Sequence, residues 1–392
     1  MPETLRILHA YELGPLVDGS FTGGIENHII RLLIELNHLG HECTFLTGSI
    51  PNGKRHDEIQ GIHILRTPSL RILNQFWNPY NLKVGRQASF FPLALHKILK
   101  GKGKWDIIHG HIYIPGVVAA LAGGMLSVPC FNTIHGSYYD FWSQISSNKI
   151  TATAFRTMER ILAPLIARHV KKQIHTDFYF AKKVISWGVP REKVTVIHNG
   201  VDTDDFYPRT THTATSSSIP KVMAVRRLVP KNGVQFLLRA TKLVLQEAPV
   251  QTIIIGDGPQ KKELVTLTKK LGIEKHVKWV GRVPNKLVPN WLALANIVVV
   301  PSLVEASSIG LLEGMAMEKP CIASAIPGIK EISSSEVIRY CEPGNPQSIA
   351  SAIVNLLSNP ERAKLMGMRA RQHVLRNLSQ HKVALNHLKL YQ

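Results

Sequence analysis

The sequence contains few cysteines and few acidic residues, and its first residues do not form a long apolar run. Its four cysteines form no C-x-x-C pair and no regular spacing, which argues against a disulfide scaffold or a zinc ribbon and suits a reducing compartment. Residues 1–14 carry several charges and lack the long apolar centre of a signal peptide. We therefore expect a cytoplasmic protein.

Uninterrupted apolar runs of membrane-spanning length are also missing. Residues 112–131 contain no charged side chain, but Pro115, Pro129 and three glycines interrupt the stretch, and strand-like segments flank it. This composition predicts a buried helix followed by a strand of a globular sheet, and not a membrane span.

Common nucleotide- and nucleic-acid-binding signatures are absent too. No complete G-x-G-x-x-G follows the first apolar strand and no G-x-x-x-x-G-K-[ST] occurs, which disfavours a dinucleotide oxidoreductase and a P-loop enzyme. No nucleic-acid-binding module is recognisable, so we expect no nucleic-acid partner. The 47 Lys and Arg against 27 Asp and Glu nevertheless give a formal net charge of +20. Such a charge attracts polyanions, among them phosphorylated small molecules and anionic lipid headgroups.

The order of apolar runs along the 392 residues indicates two α/β cores. Short apolar runs alternate with helical patterns, pause at the polar segment 209–220, and then resume. The predicted organisation is a domain over 1–208, a linker over 209–220, a domain over 221–375 and a terminal helix over 376–392. Strands are predicted at 6–10, 43–47, 62–66, 107–109, 130–135, 173–176, 221–225, 251–255, 277–280, 297–300 and 321–324.

Continuous apolar strands separated by helices predict parallel sheets covered on both faces. The expected fold class is therefore α/β, with two Rossmann-like, doubly wound domains that face a central cleft. A ligand is expected in that cleft, at the carboxyl ends of the strands.

The segment Pro301–Ser324 is the strongest candidate site. An apolar strand ends there and Glu305 follows in a loop. Ser307 or Ser308 can cap a new helix, whose second turn holds Glu313. The start of a helix presents unpaired N–H groups and the positive end of the helix dipole, which suits a phosphate. From the residues alone, a solvated loop Glu and an ordinary helix Glu explain the pattern almost as well.

Three other polar residues follow predicted strands. Arg227 and Lys231 come after strand 221–225 and are expected to reach the same crevice, where arginine suits bidentate phosphate contacts. Two surface cations are the alternative. His135 ends another strand, where it can position a ligand hydroxyl or carry a proton, or can be a structural histidine.

An ordered set of motifs resembles the retaining glycosyltransferases of family four, which adopt the fold called GT-B. Glu305-x7-Glu313, within PS-x-x-E…LEGMA…KP, is similar to the family's Glu-x7-Glu signature. Five further motifs keep the family's order along the chain: Gly23-Gly24 before a helix, Trp105-Asp-Ile-Ile-His-Gly-His111, Thr133-Ile-His135-Gly136, His198-Asn-Gly-Val-Asp202 and Gly256-Asp-Gly-Pro259.

The resemblance implies retaining hexosyl or N-acetylhexosaminyl transfer from a nucleoside-diphosphate sugar to a glycan or lipid-linked acceptor. Such transfer serves the synthesis of cell-envelope polysaccharides or glycolipids. A UDP-sugar is favoured over a GDP-sugar. The resemblance also implies that no metal or cofactor is needed, since cations and a helix N-terminus can carry the charge of the leaving group. The terminal helix is implied to return to the N-terminal domain.

The resemblance also implies a role for each matching residue. Catalytic roles at the sugar fall to His135 and Glu305. The implied donor-binding positions are Gly23 and Gly24 beside the phosphate, Arg227 and Lys231 at the diphosphate, Val283 at the base, the backbone amides of Ser308 and Ile309 at the distal phosphate, and Glu313 at the ribose.

The chain departs from the family pattern at three places. Arg226 replaces the family's glycine before Arg227. Asn232 replaces its usual lysine, with Lys231 one position earlier, so which of the two positions faces the phosphate stays open. The common E-G-F-G is Glu305-Ala-Ser-Ser308, which removes two flexible glycines and implies a different shape around the sugar.

Two short patterns suggest metal sites instead. His109-Gly-His111 resembles a metal-binding pair, because alternate strand residues point the same way, and would fit a metal-dependent hydrolase. Asp202-x-Asp204 superficially matches the D-x-D motif of other glycosyltransferases, although short acidic residues also cap turns.

Two basic segments lie in the N-terminal half. Residues 66–105 contain eight Lys or Arg and no acidic residue, with Phe76, Trp77, Tyr80, Phe90 and Phe91 interleaved. Residues 149–193 contain ten Lys or Arg and three acidic residues. Basic residues mixed with aromatics favour peripheral binding to an anionic membrane, on its inner face, over a merely solvated surface.

Overall fold

The computed structural model describes residues 3–15, 23–50, 52–68, 83–137, 139–140, 142, 149–209 and 219–392, with 83–88 as backbone only. The chain forms two compact units, Met1–His198 with Gln380–Gln392, and Asn199–Ser379. Residues 199–208, which we assigned to the N-terminal domain, therefore belong to the second unit. Most of the predicted linker, 210–218, and the aromatic residues Phe76, Trp77 and Tyr80 lie outside the described residues.

The first unit contains an eight-stranded sheet in the order β3-β4-β2-β1-β5-β6-β7-β8. All of its strand pairs are parallel except β3 with β4. Most strands are short apolar runs buried on both faces, as expected for a covered parallel sheet. The strands are β1 (Arg6–Ala10), β2 (Glu42–Thr47), β3 (His56–Ile59), β4 (Ile62–Arg66), β5 (Ile107–His111), β6 (Cys130–Ile134), β7 (Lys172–His175) and β8 (Val194–Val196).

Helices separate the strands of this unit. The uncharged stretch 112–131 forms a helix followed by a strand, as predicted. Among the described helices, none combines the length and the apolar character that a membrane crossing requires. The helices are α1 (Gly24–His38), α2 (Lys83–Lys100), α3 (Tyr113–Leu126), α4 (Lys149–His169) and α5 (Phe178–Ser186).

The second unit contains a six-stranded, wholly parallel sheet in the order β11-β10-β9-β12-β13-β14. The strands are β9 (Lys221–Val225), β10 (Gln251–Ile255), β11 (Val277–Gly281), β12 (Ile297–Val300), β13 (Cys321–Ser324) and β14 (Arg339–Cys341). The helices are α6 (Val234–Val244), α7 (Lys261–Leu271), α8 (Val288–Ala293), α9 (Ile309–Ala316), α10 (Pro327–Lys330), α11 (Pro346–Leu357) and α12 (Pro360–Asn377).

The terminal helix α13 (Gln380–Tyr391) belongs to the first unit. Its apolar side chains Val383, Leu388 and Tyr391 share one buried core with Ile7 on β1 and with residues of α1. The second unit therefore lies, in the chain, between two segments of the first.

Candidate functional site

Each sheet has one point at which the strand order reverses. In the first sheet β1 lies between β2 and β5, and in the second β9 lies between β10 and β12. The helices that leave two such strands lie on opposite faces, which opens a crevice at their carboxyl ends. At this point of the second sheet lie Arg226, directly after β9, and the loop 301–308, directly after β12.

Arg226 is the buried centre of this site, with 8% of its surface exposed. Its Nη1 donates to Oγ of Ser308 at 3.0 Å. Its Nη2 donates to Oγ of Ser302 at 2.6 Å, to Oδ1 of Asn232 at 3.2 Å, and to the carboxylate of Glu305. Its Nε is buried and has no hydrogen-bond partner in the described part of the chain. The departure from the family's glycine therefore fills the site with a charged, hydrogen-bonded side chain.

Glu305 stays ionised in this environment. Its side chain is only 16% exposed, and burial by itself raises the pKa of the carboxyl. The positive charges of Arg226 and Lys231 and the hydrogen bonds from Arg226 and Ser302 outweigh burial, so that the pKa lies below its ordinary value. The orientation of the Glu305 carboxylate is thus fixed by other side chains of the protein.

The start of α9 retains free backbone donors. Ser308 occupies the N-cap position, but its hydroxyl makes no capping bond and accepts from Arg226 instead. Within the described residues, the N–H groups of Ile309 and Gly310 have no partner. A Cβ on Gly310 would lie 3.1 Å from the carbonyl oxygen of Val225, so glycine lets the helix start beside the end of β9. This helix N-terminus is able to bind an anion.

Two glycines fix the backbone around the ion pair. Gly256 has φ of +135°, and a Cβ there would lie 1.9 Å from the carbonyl oxygen of Arg226. A Cβ on Gly328 would lie 2.3 Å from the carbonyl oxygen of Glu305. A side chain at either position would displace the strand end or the loop that carries the charges.

The other predicted residues of this unit lie around the same edge. Lys231 is partly buried and acts electrostatically on Glu305, whereas Arg227 is exposed. Glu313, on the second turn of α9, is 8% exposed, and Val283 packs partly buried against the core. The family resemblance implies a phosphate role for Arg227 and none for Arg226, yet Arg226 is the cation that contacts Glu305.

Three predicted residues belong to the first unit. Gly23 is the N-cap of α1, and Gly24 is the exposed first residue of that helix. His135 follows β6, is partly buried, and shares a hydrogen bond of 2.9 Å with His111. Burial, together with His387, lowers the pKa of His135 to about 3.

A cluster of buried histidines at the point of strand reversal was not foreseen. His9 on β1 faces His109 and His111 on β5, and all three rings are fully buried. His387 of α13 and His28 of α1 lie beside them. The sequence signal was the H-x-H pair alone, because the other rings come from distant segments.

The metal-site interpretation of His109 and His111 has a partial basis in this cluster. Ligand nitrogens of His9, His109 and His111 lie within 4.8 Å of one another, close enough for one ion. However, the rings of His109 and His111 are stacked with only 4° between their planes, so their in-plane lone pairs lie in nearly parallel planes and cannot both point at one ion. Every ring nitrogen of the three is also within hydrogen-bonding distance of a neighbouring side chain.

The D-x-D pattern is a turn. The Oδ1 of Asp202 accepts from the backbone N–H of Asp204 at 3.0 Å and from that of Asp205 at 2.9 Å. Both bonds are those of a short acidic residue that caps its own turn.

Two domain families match the chain. Residues 22–205 match the model described as Glycosyltransferase Family 4, and residues 214–373 match Glycosyl transferases group 1. The N-acetyl-alpha-D-glucosaminyl L-malate synthase of Bacillus anthracis is 24% identical over 96% of this chain and 94% of its own length. One subunit of the phosphatidylinositol N-acetylglucosaminyltransferase of Arabidopsis thaliana is 25% identical over 86% of this chain and 73% of its own length.

Solved structures of the same fold cover nearly the whole chain. The sucrose-phosphate synthase of Thermosynechococcus elongatus superposes with a TM-score of 0.81 at 19% identity, over 98% of both chains. Anabaena HepE in complex with UDP and glucose gives 0.76 at 20% identity, again over 98% of both chains. Together with the two parallel-sheet α/β units, these neighbours confirm the predicted GT-B fold class.

Proposed function

Taking the chain as a glycosyltransferase of the GT-B fold, the class that its two family matches indicate, we propose that it transfers a sugar from a nucleoside-diphosphate sugar with retention of anomeric configuration. The observation that carries the proposal is the site at the ends of β9 and β12. There an oriented carboxylate, Glu305, lies beside a helix N-terminus with free N–H groups. A diphosphate and its sugar need these two features side by side.

We assign the donor as follows. The free N–H groups at Ile309 and Gly310 bind the distal phosphate, and Lys231 and exposed Arg227 supply counter-charge. Glu313 on the second turn of α9 binds the ribose hydroxyls, and main chain near Val283 contacts the base. Glu305 and His135 contact the transferred sugar, and Gly23 and Gly24 approach the phosphate. The departing diphosphate accepts the proton of the acceptor, so that no covalent glycosyl–enzyme intermediate forms.

A UDP-sugar, and among these UDP-N-acetylhexosamine, is our first choice of donor. Two of the relatives are named as an N-acetylglucosaminyltransferase and as an N-acetylglucosaminyl malate synthase, and HepE was solved with UDP. A GDP-sugar is the alternative. A thermal-shift panel of nucleotide-sugars distinguishes them, because a bound donor raises the melting temperature by mass action. No stabilisation by any nucleotide-sugar would contradict the proposal.

The acceptor we propose is a glycan or lipid-linked sugar at an anionic membrane surface on the cytoplasmic side. Helix α4 supports this, since it exposes Ile150, Ile161 and Leu165, with 81%, 58% and 43% of their surface accessible. The exposed cations Arg160 and Arg168 lie among them. Apolar side chains framed by cations fit an interface of anionic headgroups. Sedimentation with anionic and with neutral vesicles tests this, and equal binding to both would contradict it.

A further inference from the structure

A hydrogen-bonded chain of six side chains connects the interior of the first unit to His135. The chain passes through three rings on β1 and β5, a hydroxyl on β6 and a hydroxyl of the terminal helix, and it ends on the ring of His135 directly after β6. Its links are Thr133 Oγ1 to His109 Nε2 (2.7 Å), His109 Nδ1 to Tyr391 Oη (2.6 Å), Tyr391 Oη to His9 Nε2 (3.1 Å), His9 Nδ1 to His111 Nε2 (2.8 Å), and His111 Nδ1 to His135 Nε2 (2.9 Å).

The strand register explains why these groups meet. His9 is the Cα partner of His109, and His111 is the partner of Thr133. Since alternate residues of a strand point to the same face, the four side chains and His135 project from one face of the sheet. Helix α13 packs on this face and inserts Tyr391, which is 4% exposed.

The rings in this chain are neutral. Burial lowers the pKa of His9, His109 and His111 well below the ordinary value and raises the pKa of Tyr391. A neutral imidazole has one N–H and one lone pair, and a phenol has one O–H. The protons of a chain built from such groups all point in one direction or all in the other, so the tautomers of the four rings are linked.

The end at Thr133 selects the direction. Thr133 is 1% exposed, and within the described residues the only hydrogen-bond partner of its hydroxyl is His109. If His109 donated to Thr133, the buried hydroxyl hydrogen would be left without an acceptor, which is costly. If Thr133 donates, every donor inside the chain has an acceptor. The remaining N–H then lies at the other end, on Nδ1 of His135.

His135 is the only member of the chain that is not fully buried, and its Nδ1 has no hydrogen-bond partner among the described residues. We propose that the chain holds His135 as the Nδ1–H tautomer, so that it donates a hydrogen bond from Nδ1 to an oxygen of the transferred sugar. Thr133, His109, Tyr391, His9 and His111 are then positioning residues. The sugar contact rests on the proposed glycosyl transfer; the tautomer does not.

Long-range ¹H–¹⁵N spectra of the histidine-labelled protein at neutral pH test the tautomer directly. His9, His109, His111 and His135 are all expected as Nδ1–H. His387 supplies an internal reference, because its Nδ1 lies 2.9 Å from the carbonyl oxygen of Val383, which only accepts. An Nε2–H or imidazolium pattern at His135 would overturn the proposal. So would stoichiometric binding of added Zn²⁺ that displaces these signals.

Tyr391→Phe tests the donation from Thr133. With the phenol hydroxyl removed, Nδ1–H of His109 has no acceptor, but a turn to Nε2–H would leave both the Thr133 hydroxyl hydrogen and the Nδ1 lone pair unpaired, so His109 is expected to keep Nδ1–H. His9, His111 and His135 keep Nδ1–H, because an unpaired lone pair costs less than an unpaired N–H. The matched control is Tyr340→Phe, which removes a partly buried hydroxyl bonded to Ser333 in the second unit. An Nε2–H signal at His109 in Tyr391→Phe would contradict the donation from Thr133. If Tyr391→Phe fails to fold, Thr133→Val decides the same point. His109 should remain Nδ1–H in Thr133→Val, and an Nε2–H signal at His109 would overturn the proposal.

Two substitutions of His135 test the sugar contact separately. The amide of Asn lies near the position of Nδ1, and that of Gln near the position of Nε2. We expect His135→Asn to retain turnover at least about tenfold better than His135→Gln. Equal losses, with the predicted tautomers present in the spectra of the unmodified protein, would refute the contact with sugar and leave the chain intact.

Discussion

The guanidinium of Arg226 donates to the carboxylate of Glu305, and the two side chains are 5% and 16% exposed. Arg226 stands at the position where the family that the sequence resembles has a glycine. The carboxylate proposed to contact the sugar therefore has a counter-ion that the protein itself supplies. The pair fixes the orientation of Glu305.

Removing the cation alone is expected to be worse than removing both charges. Arg226→Met leaves Glu305 buried without its partner and should lower the free energy of unfolding by about 3 kcal/mol. Urea denaturation measures this. Arg226→Met combined with Glu305→Gln should recover most of the loss, because no unpaired charge is then buried. An additive double variant would contradict the coupling.

Glu305 and Glu313 are predicted to have separable roles. Glu313→Ala should weaken the binding of donor and of free nucleotide alike, because both carry the ribose. Glu305→Ala should lower turnover and leave free-nucleotide affinity nearly intact. A hydrogen bond to a charged group contributes about 1.5–3 kcal/mol, so either loss should be about tenfold or more. Calorimetry with UDP or GDP and initial rates provide the comparison; equal loss of nucleotide affinity in both variants would refute it.

The first unit is predicted to lose stability as the pH falls below about 6.5. Burial lowers the pKa of His175 to about 3 and that of His387 to about 4. The unfolded chain therefore binds protons at these groups at a higher pH than the folded unit does. Each group lowers the free energy of unfolding by about 1.4 kcal/mol for each pH unit in this range. Urea midpoints between about pH 7 and about pH 5 measure the slope. His175→Asn should reduce it, and His63→Asn, on an exposed residue, should not.

Transfer is expected to proceed without a divalent ion. Lys231, Arg227 and the start of α9 can compensate the charge of the leaving diphosphate. Initial rates after exhaustive EDTA treatment should stay within about twofold of the untreated enzyme. Abolition by EDTA with recovery on addition of manganese would contradict the prediction.

The sequence predicted most of the parallel strands because they are apolar runs with little else in them. β1, β4, β9, β10, β12 and β13 lie at the predicted residues. β3 was missed, since His-Asp-Glu-Ile at a sheet edge has no apolar pattern. The charged partner of Glu305 could not be identified in advance, because side-chain burial decides whether Arg226 or Arg227 enters the site.

The histidine chain illustrates the limit of local patterns. His109-Gly-His111 was visible as a pair on one strand face, but His9 and Tyr391 join it from opposite ends of the sequence. Only the register of β1 with β5 and the packing of α13 bring these groups together. The ring nitrogens of His109 and His111, the pair that suggested a metal site, are thus all within hydrogen-bonding distance of side chains from other segments of the sequence.

The stereochemistry of donor cleavage tests the central claim most directly. With water as acceptor, the donor selected by the thermal-shift panel is cleaved in an NMR tube, and the anomeric proton of the released sugar is observed before mutarotation. Retaining chemistry predicts that an α-linked nucleoside-diphosphate sugar first releases the α-anomer. First release of the β-anomer would contradict the account. So would a failure to cleave any nucleotide-sugar, both with water alone and with a glycan or lipid-linked acceptor.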